Sequence, residues 1–135
     1  MDITEGRRLR AVFPAGVWEA DVEKRYPAAS RVRIVAVEAR HIFEADGVPE
    51  RELQRCEAEG PDGTRLAGCL KVYLPLGPGD PRERPFGMVF IDVGREEPAL
   101  VLIAYGVRHP PDGSNRPSVY RLADRRLHPP TPSNS

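Results

Sequence analysis

The sequence is poor in lysine, cysteine and long apolar runs. Lys24 and Lys71 are its only lysines, so arginine carries almost all of the positive charge. Cys56 and Cys69 have neither CxxC spacing nor a nearby histidine cluster, which argues against a zinc site. The longest apolar run, at residues 99–104, is far too short to span a bilayer. We therefore expect a protein without a metal and without a membrane partner.

Other familiar signatures are also absent. The chain has no glycine-rich phosphate loop, no GxSxG turn and no HExxH motif. Its first ten residues lack the apolar segment of a signal peptide. Two thiols also fit a reducing compartment, so we expect a cytoplasmic protein. Since the motifs above are absent, we also expect that it uses no cofactor.

Length and composition predict one small domain. With 135 residues and 40% apolar content, the chain can form a modest core without disulfides or metals. Fifteen prolines and twelve glycines indicate many turns and loops. We place a single domain at residues 1–128 and a disordered tail at residues 129–135, where the sequence offers nothing to bury.

Charge is balanced overall but not along the chain. Residues 38–62 carry eight acids against three arginines, a net −5, whereas residues 104–128 carry five arginines against two acids, a net +3. The basic stretch suits an anionic partner, although two solvated faces would give the same pattern. The acidic segment could repel nucleic acid or dock a basic partner, and the sequence does not decide between the two.

The first half of the chain predicts one strand followed by helices. Residues 8–13 alternate in polarity like a strand, and residues 17–26 have a helical apolar face. Ser30 suits the N-cap of a second helix over residues 31–43, although the segment RVRIVAV within it also fits a strand. A proline followed by good helix formers predicts a third, short helix over residues 49–59.

The second half predicts three strands and a terminal helix. Apolar runs at residues 66–74, 86–93 and 100–108 predict the strands, and Ser118 can cap a helix over residues 119–127. We therefore expect an α+β fold built on an antiparallel sheet of about four strands. Two or three N-terminal helices would pack on one face, with a short C-terminal helix following the sheet, and the other face would bind a partner.

The second half of the chain contains five short motifs: LAG at 66–68, LKVYL at 70–74, PFGMVF at 85–90, GVR at 106–108 and VYRLADRRL at 119–127. In type and in order, these motifs resemble those of RelE/ParE-type toxins of bacterial toxin–antitoxin systems. The resemblance covers about residues 64–128 and predicts a divergent member of that family.

The resemblance implies an activity and partners. RelE-type members are ribosome-dependent endoribonucleases that cut mRNA without a metal. The 2′-hydroxyl attacks the adjacent phosphate and leaves a 2′,3′-cyclic phosphate and a 5′-hydroxyl end. An antitoxin protein holds such enzymes inactive. The alternative is a non-catalytic protein of this fold, either directed at DNA gyrase like ParE-type members or serving as an interaction domain.

The motifs also imply site residues. Arg108 would stabilise the phosphate, Tyr120 would stack on a base or assist proton transfer, and Lys71 would be the basic residue of the central strand. His109 is a possible acid or base because histidine titrates near neutral pH. Charge alone adds further candidate RNA contacts, all of them arginines: Arg126, Arg125, Arg116, Arg82 and Arg84.

Two positions depart from the family pattern. The family's strand arginine falls on Gly87, and a second lysine expected two residues after Lys71 is Tyr73. The loop between Arg108 and Tyr120 is also longer than the family usually has. Either other groups replace the missing cations, or the fold is kept and the nuclease chemistry is lost.

Each candidate also has a purely structural explanation. Tyr120 can pack on the sheet, Arg108 can pair with Asp92 or Glu96, and Lys71 can be a solvated strand residue. The arginines of the last helical turn also complement the helix dipole. Convergence of the three catalytic candidates on one concave surface would favour catalysis, whereas a buried tyrosine and an arginine paired with a carboxylate would favour binding.

Overall fold

The computed structural model describes residues 6–75, 85–110 and 113–129. Their strands are β1 (Arg8–Val12), β2 (Val48–Pro49), β3 (Gln54–Arg55), β4 (Cys69–Leu74), β5 (Phe86–Asp92) and β6 (Ala99–Val107). Their α-helices are α1 (Ala15–Trp18), α2 (Arg31–Asp46) and α3 (Val119–Leu127). The predicted α+β class is confirmed, and the predicted tail lies almost wholly outside the described residues. None of the described helices is long and apolar enough to cross a membrane.

The sheet is mixed, and the predicted antiparallel sheet of about four strands is wrong. Six strands join in the order β2-β1-β6-β5-β4-β3, and β1 runs parallel to β6, with Arg10 opposite Ala99. The other neighbouring pairs are antiparallel. Polarity patterns and short links predict only local hairpins, whereas a parallel pair joins strands distant in the sequence. The two-residue strands β2 and β3 are too short to show any period.

The second predicted helix is confirmed, and the third is wrong. The Ser30 hydroxyl accepts a hydrogen bond from the Arg33 N–H at 3.3 Å, which caps α2, and Gly47 ends that helix with φ at 83°. Residues 49–59 instead form the end of β2, a 3₁₀ turn (Glu50–Glu52), β3 and a loop. Pairing with β1 and β4 therefore outweighs the helix propensity of this charged segment.

Apolar side chains bury both faces of the sheet. The larger cluster packs α1 and α2 on one face, and its members include Trp18, Phe43, Met88, Phe90, Leu100 and Tyr105. The smaller cluster packs α3 on the other face through Cys69, Val89, Ile103, Ala104, Val119 and Ala123. The face expected to remain open is thus partly covered by α3, which leaves a cleft beside the helix and not a flat surface.

A β-bulge interrupts β6 under α3. Val89 pairs with Ala104 and Phe90 pairs with Leu102, so Ile103 is the extra residue. A bulge turns consecutive side chains toward one face and increases the local twist. Ile103 and Ala104 consequently both pack in the cluster under α3.

An ion pair between a buried carboxylate and a partly exposed arginine holds β6 beyond the point where β1 ends. Asp21, in the π-helical turn (Glu19–Glu23) that continues α1, is fully buried and accepts a hydrogen bond from the Tyr105 N–H at 2.9 Å. Arg126 on α3 donates to both Asp21 oxygens, at 2.7 and 2.6 Å, and to the Ile103 carbonyl at 2.6 Å. We call Asp21 and Arg126 the clamp. It ties α1, β6 and α3 together.

Candidate active-site cleft

A cleft of about 460 Å³ lies beside α3, between the sheet and the loop that follows β3. One side is lined by Lys71 on β4, by Arg108 and His109 just after β6, and by Tyr120 in the first turn of α3. Residues between 56 and 66 form the opposite wall. The three catalytic candidates and the acid–base candidate thus meet on one concave surface.

Strand register and a helix cap bring these side chains together. Lys71 and Tyr73 are two residues apart on β4 and therefore point to the same face. The Ser118 hydroxyl accepts the Arg121 N–H at 3.1 Å, which begins α3 and fixes Tyr120 in its first turn. The predicted cap and the predicted bounds of this helix are both confirmed.

Lys71, Arg108 and Tyr120 line the cleft, and Tyr73 packs against the two cations. We call these four residues the cation–tyrosine cluster. Arg108 donates through Nε to the Tyr120 hydroxyl at 3.2 Å, and its guanidinium carbon lies 3.6 Å from the centre of the Tyr73 ring. The Lys71 ammonium lies 5.0 Å from the Tyr120 ring centre and 5.5 Å from that of Tyr73. Cation–π attraction therefore holds both positive charges in place.

His109 stands at the edge of this cluster. Its ring centre lies 6.5 Å from that of Tyr120, with the two planes tilted by 55°. The histidine is exposed at the cleft wall, whereas Tyr120 is half-buried. A ligand that reached the cluster would therefore pass an imidazole, a common acid or base in proteins.

Burial and neighbouring charges set the protonation of the cluster. Burial lowers the pKa of Lys71, but a hydrogen bond with Tyr73 and the nearby tyrosines outweigh it, so the pKa is raised overall. Burial raises the pKa of Tyr120, although the Arg108 hydrogen bond and Lys71 partly oppose it. At neutral pH the cluster thus presents the positive charges of Lys71 and Arg108 beside the Tyr120 phenol, which keeps its proton.

The opposite wall carries acidic groups. Burial opposes ionisation of Asp62, but hydrogen bonds from Thr64 and the charge of Arg121 hold the pKa of Asp62 below its usual value. Thr64 Oγ1 donates to Asp62 at 2.8 Å, and Arg121 Nη2 donates to the Asp62 carbonyl at 3.2 Å. Glu57 is exposed beside it. The cleft is therefore cationic on the sheet side and acidic on the loop side.

Two thiols lie under the loop wall. Cys56 lines the cleft and donates its N–H to the Cys69 carbonyl at 3.0 Å, which extends the pairing of β3 with β4. Burial and the neighbouring Cys69 raise the pKa of the Cys56 thiol to about 12. Burial also raises the pKa of Cys69. Both thiols are neutral at physiological pH and so poor nucleophiles. Among the described residues, no group of three or more His, Cys, Asp or Glu could hold a metal ion.

The other described arginine candidates lie outside the lining of the cleft. Arg126 belongs to the clamp, where the hydrogen bond to Asp21 raises its pKa. Arg116 lies with its guanidinium carbon 6.0 Å from the centre of the Tyr26 ring, and Arg125 is exposed on α3. Arg82 and Arg84 lie outside the described residues. Sequence charge identified Arg126 but could not reveal its partner, which lies 105 positions earlier.

The carboxylates considered as partners of Arg108 are at the far end of the hairpin. The Arg108 N–H donates to the Pro85 carbonyl, just before β5, whereas Asp92 ends β5. Asp92 accepts the N–H groups of Gly94 and Ala99, both at 3.0 Å, and so closes the β5–β6 turn. This acid therefore shapes a turn, away from the cleft.

Sequence reasoning missed Tyr73 and Asp62 as members of the site. The motif comparison marks Tyr73 only as a missing lysine, although its position two residues after Lys71 places both side chains on one face of a strand. Asp62 lies in a turn, and only the fold shows that this turn forms the cleft wall. Comparisons of the chain with protein-family models, curated proteins and solved structures find no match.

Proposed function

We propose that the protein is a metal-independent endoribonuclease of RelE type, which cuts ribosome-bound mRNA and is neutralised by an antitoxin. The observation that supports this most strongly is the convergence of Lys71, Arg108 and Tyr120 in one cleft. Tyr120 is half-buried and hydrogen-bonded to Arg108, an arrangement that favours catalysis over packing alone. The ribosome and the antitoxin enter the proposal through the motif resemblance.

The reaction needs a base, an acid and positive charge around one phosphate. The 2′-hydroxyl gives up its proton as its oxygen attacks phosphorus, the bond from phosphorus to the 5′-oxygen breaks, and that oxygen takes up a proton. His109 at the cleft wall accepts the first proton. Tyr120, whose raised pKa keeps it protonated, donates the second. Arg108 and Lys71 stabilise the charge that develops on the phosphate oxygens.

A reconstituted translation reaction with a defined mRNA tests this proposal. Wild-type protein should produce new 5′ ends within ribosome-covered codons, mapped by primer extension, and an Arg108→Ala/Tyr120→Phe double variant should not. Arg95→Ala is the matched control, since this exposed arginine lies in the β5–β6 turn, remote from the cleft. It should cut like wild type. Intact mRNA with normal translation would overturn the nuclease proposal.

One observation favours the second candidate, a non-catalytic protein that acts by binding. Glu57 and Asp62 on the loop wall would repel a polyanion such as RNA, whereas a protein segment carrying both signs of charge would fit the mixed cleft. Gyrase inhibition, or tight binding of an antitoxin by a protein that cuts no RNA, would support this candidate.

A further inference from the structure

We infer that Tyr73 is a positioning residue for Arg108, and that Gly87 leaves the space through which Arg108 reaches it. The inference rests on the proposed function, because it takes Arg108 as the group that binds the phosphate. It concerns the two positions where the sequence departs most from the family pattern.

Strand register places the parts of this arrangement in a row. Tyr73 on β4 is opposite Gly87 on β5, and Gly87 is opposite Gly106 on β6. Arg108 follows two residues after Gly106 and so emerges on the same face of the sheet. Its side chain must cross β5 to reach Tyr73, and Gly87 is the residue that it crosses.

The crossing is a close contact. A Cβ atom placed on Gly87 would lie 3.5 Å from Arg108 Cγ and 3.8 Å from Cδ, so the arginine stem already packs against this position. A longer side chain at position 87 would occupy the space of the stem. Beyond Gly87, the guanidinium carbon comes to rest 3.6 Å above the Tyr73 ring.

Stacking on Tyr73 fixes the plane of the guanidinium. The N–H donors of arginine lie in that plane, so a ring against its face leaves them directed outward at the edges. The bond from Nε to Tyr120 at 3.2 Å then fixes the rotation within the plane. Stacking and this hydrogen bond both contribute to the direction in which Arg108 would meet a phosphate.

This arrangement accounts for both departures together. An arginine at position 87 would compete with Arg108 for the same space, and a lysine at position 73 would remove the ring that supports Arg108. Gly87 and Tyr73 are therefore a matched pair that serves one arginine reaching across two strands. Tyr73 also hydrogen-bonds Lys71 and helps to raise its pKa.

The experiment compares Tyr73→Phe, which keeps the ring, with Tyr73→Leu, which removes it. The first readout is the NMR signal of the Arg108 Nε–Hε group in the whole protein without RNA. Tyr73→Leu should shift it away from its wild-type position through loss of the ring current, while Tyr73→Phe should largely preserve it. Arg95→Ala is the control, because this exposed arginine lies in the β5–β6 turn, remote from the cleft. It should leave the Arg108 signal unchanged.

The second readout is cleavage of ribosome-bound mRNA over a range of pH. Tyr73→Leu should lower the cleavage rate at saturation by roughly 10- to 100-fold with little change in the half-saturating concentration, because a misdirected arginine fails in the transition state. Tyr73→Phe should stay within about threefold at neutral pH. It should lose activity at a lower alkaline pH than wild type, since Lys71 loses the hydrogen bond that helps to raise its pKa.

Gly87→Val provides an independent variant if Tyr73→Leu fails to fold. It leaves the tyrosine intact but intrudes on the arginine stem, so it should also shift the Arg108 signal and slow cleavage. An unchanged Arg108 signal in Tyr73→Leu, or in Gly87→Val, would overturn the inference. A wild-type protein that cuts no RNA while the signal shifts as expected would overturn the proposed function and leave the positioning role of Tyr73 supported.

Discussion

Arg126 in the clamp and Arg108 in the cleft belong to the same basic stretch but contact different kinds of partner. Arg126 makes three short hydrogen bonds, two to a fully buried carboxylate and one to a backbone carbonyl. Arg108 lies over one tyrosine ring and donates to another tyrosine at the wall of a cleft. Both arginine side chains are partly shielded from solvent, and each counts as one positive charge when charge is summed along the sequence.

The difference between them lies in the partner. A guanidinium held by a buried carboxylate is neutralised, and its donors are spent on the fold. An aromatic ring that stacks on a guanidinium orients it by an attraction that does not itself neutralise the charge. The clamp therefore stabilises the fold, whereas the cation–tyrosine cluster keeps positive charge at a surface that a ligand can reach. Predictions that separate stability from activity test this contrast.

The largest expected effect is on stability, from Arg126→Ala. The substitution removes the charged partner of the buried Asp21 carboxylate, and because the Arg126 side chain is 31% exposed we expect a cost of about 2–3 kcal/mol of the free energy of unfolding, at or below the range for fully buried pairs. Urea denaturation of purified protein measures it. A loss below about 1 kcal/mol would show that the clamp contributes little, and that Arg126 resembles an exposed arginine in energy.

Arg108→Ala should give the reverse pattern. Under the proposed function, it removes a donor for the phosphate and should lower the cleavage rate by about 100-fold or more. The free energy of unfolding should fall by only about 1 kcal/mol, since the contacts to Tyr73 and Tyr120 that it removes are to aromatic side chains and not to a buried carboxylate. Rates from ribosome-bound mRNA and urea curves on one preparation give both numbers. A variant that loses stability and activity in proportion would contradict the separation of cleft from clamp.

A smaller effect concerns the cleft wall at alkaline pH. Burial raises the pKa of the Cys56 thiol from its ordinary value of 9.0, which applies to the unfolded chain, to about 12 in the folded protein. Between these values the unfolded chain has lost a proton that the folded protein retains, so stability falls as pH rises. Cys56→Ala should make this fall shallower between about pH 9 and 11. Arg126→Ala, less stable at each pH, should keep the wild-type slope, as chemical denaturation at several pH values would reveal.

The smallest effect is expected from Arg125→Ala, next to the clamp in sequence. Arg125 is exposed, so its removal should change the free energy of unfolding by less than about 0.5 kcal/mol. If it contacts an RNA phosphate, binding should weaken slightly and depend less steeply on salt. If Arg125→Ala lowered the free energy of unfolding as much as Arg126→Ala, the effect of Arg126→Ala would be due to its position in α3 and not to the buried carboxylate.

Helices and strands with strong local sequence signals were predicted correctly. Ser30 and Ser118 cap α2 and α3 as expected, and the three apolar runs of the second half are strands close to the predicted bounds. The helix predicted at residues 49–59 is wrong because the helix propensity of this segment is weak compared with strand pairing at the edges of the sheet. The parallel pairing of β1 with β6 left no local signal at all.

The candidate site was predictable where side chains share a motif or a strand period. Lys71, Arg108, Tyr120 and His109 were each singled out from the sequence, and the fold brings them into one cleft. The acidic wall was not predictable, since only the docking of the loop between β3 and β4 places Asp62 opposite Arg108.

By itself, the sequence determined the caps, the apolar strands, the shortage of lysine and the basic stretch, because each of these is written in residues close together along the chain. Only the tertiary structure decided what each arginine does. Asp21 meets Arg126 because a π-helical turn of the first helix reaches the side of β6 that β1 leaves unpaired. Arg108 meets Tyr73 because strand register places both on one face of the sheet, on either side of Gly87. Partners so distant in the sequence are chosen by register and packing, which no local pattern encodes.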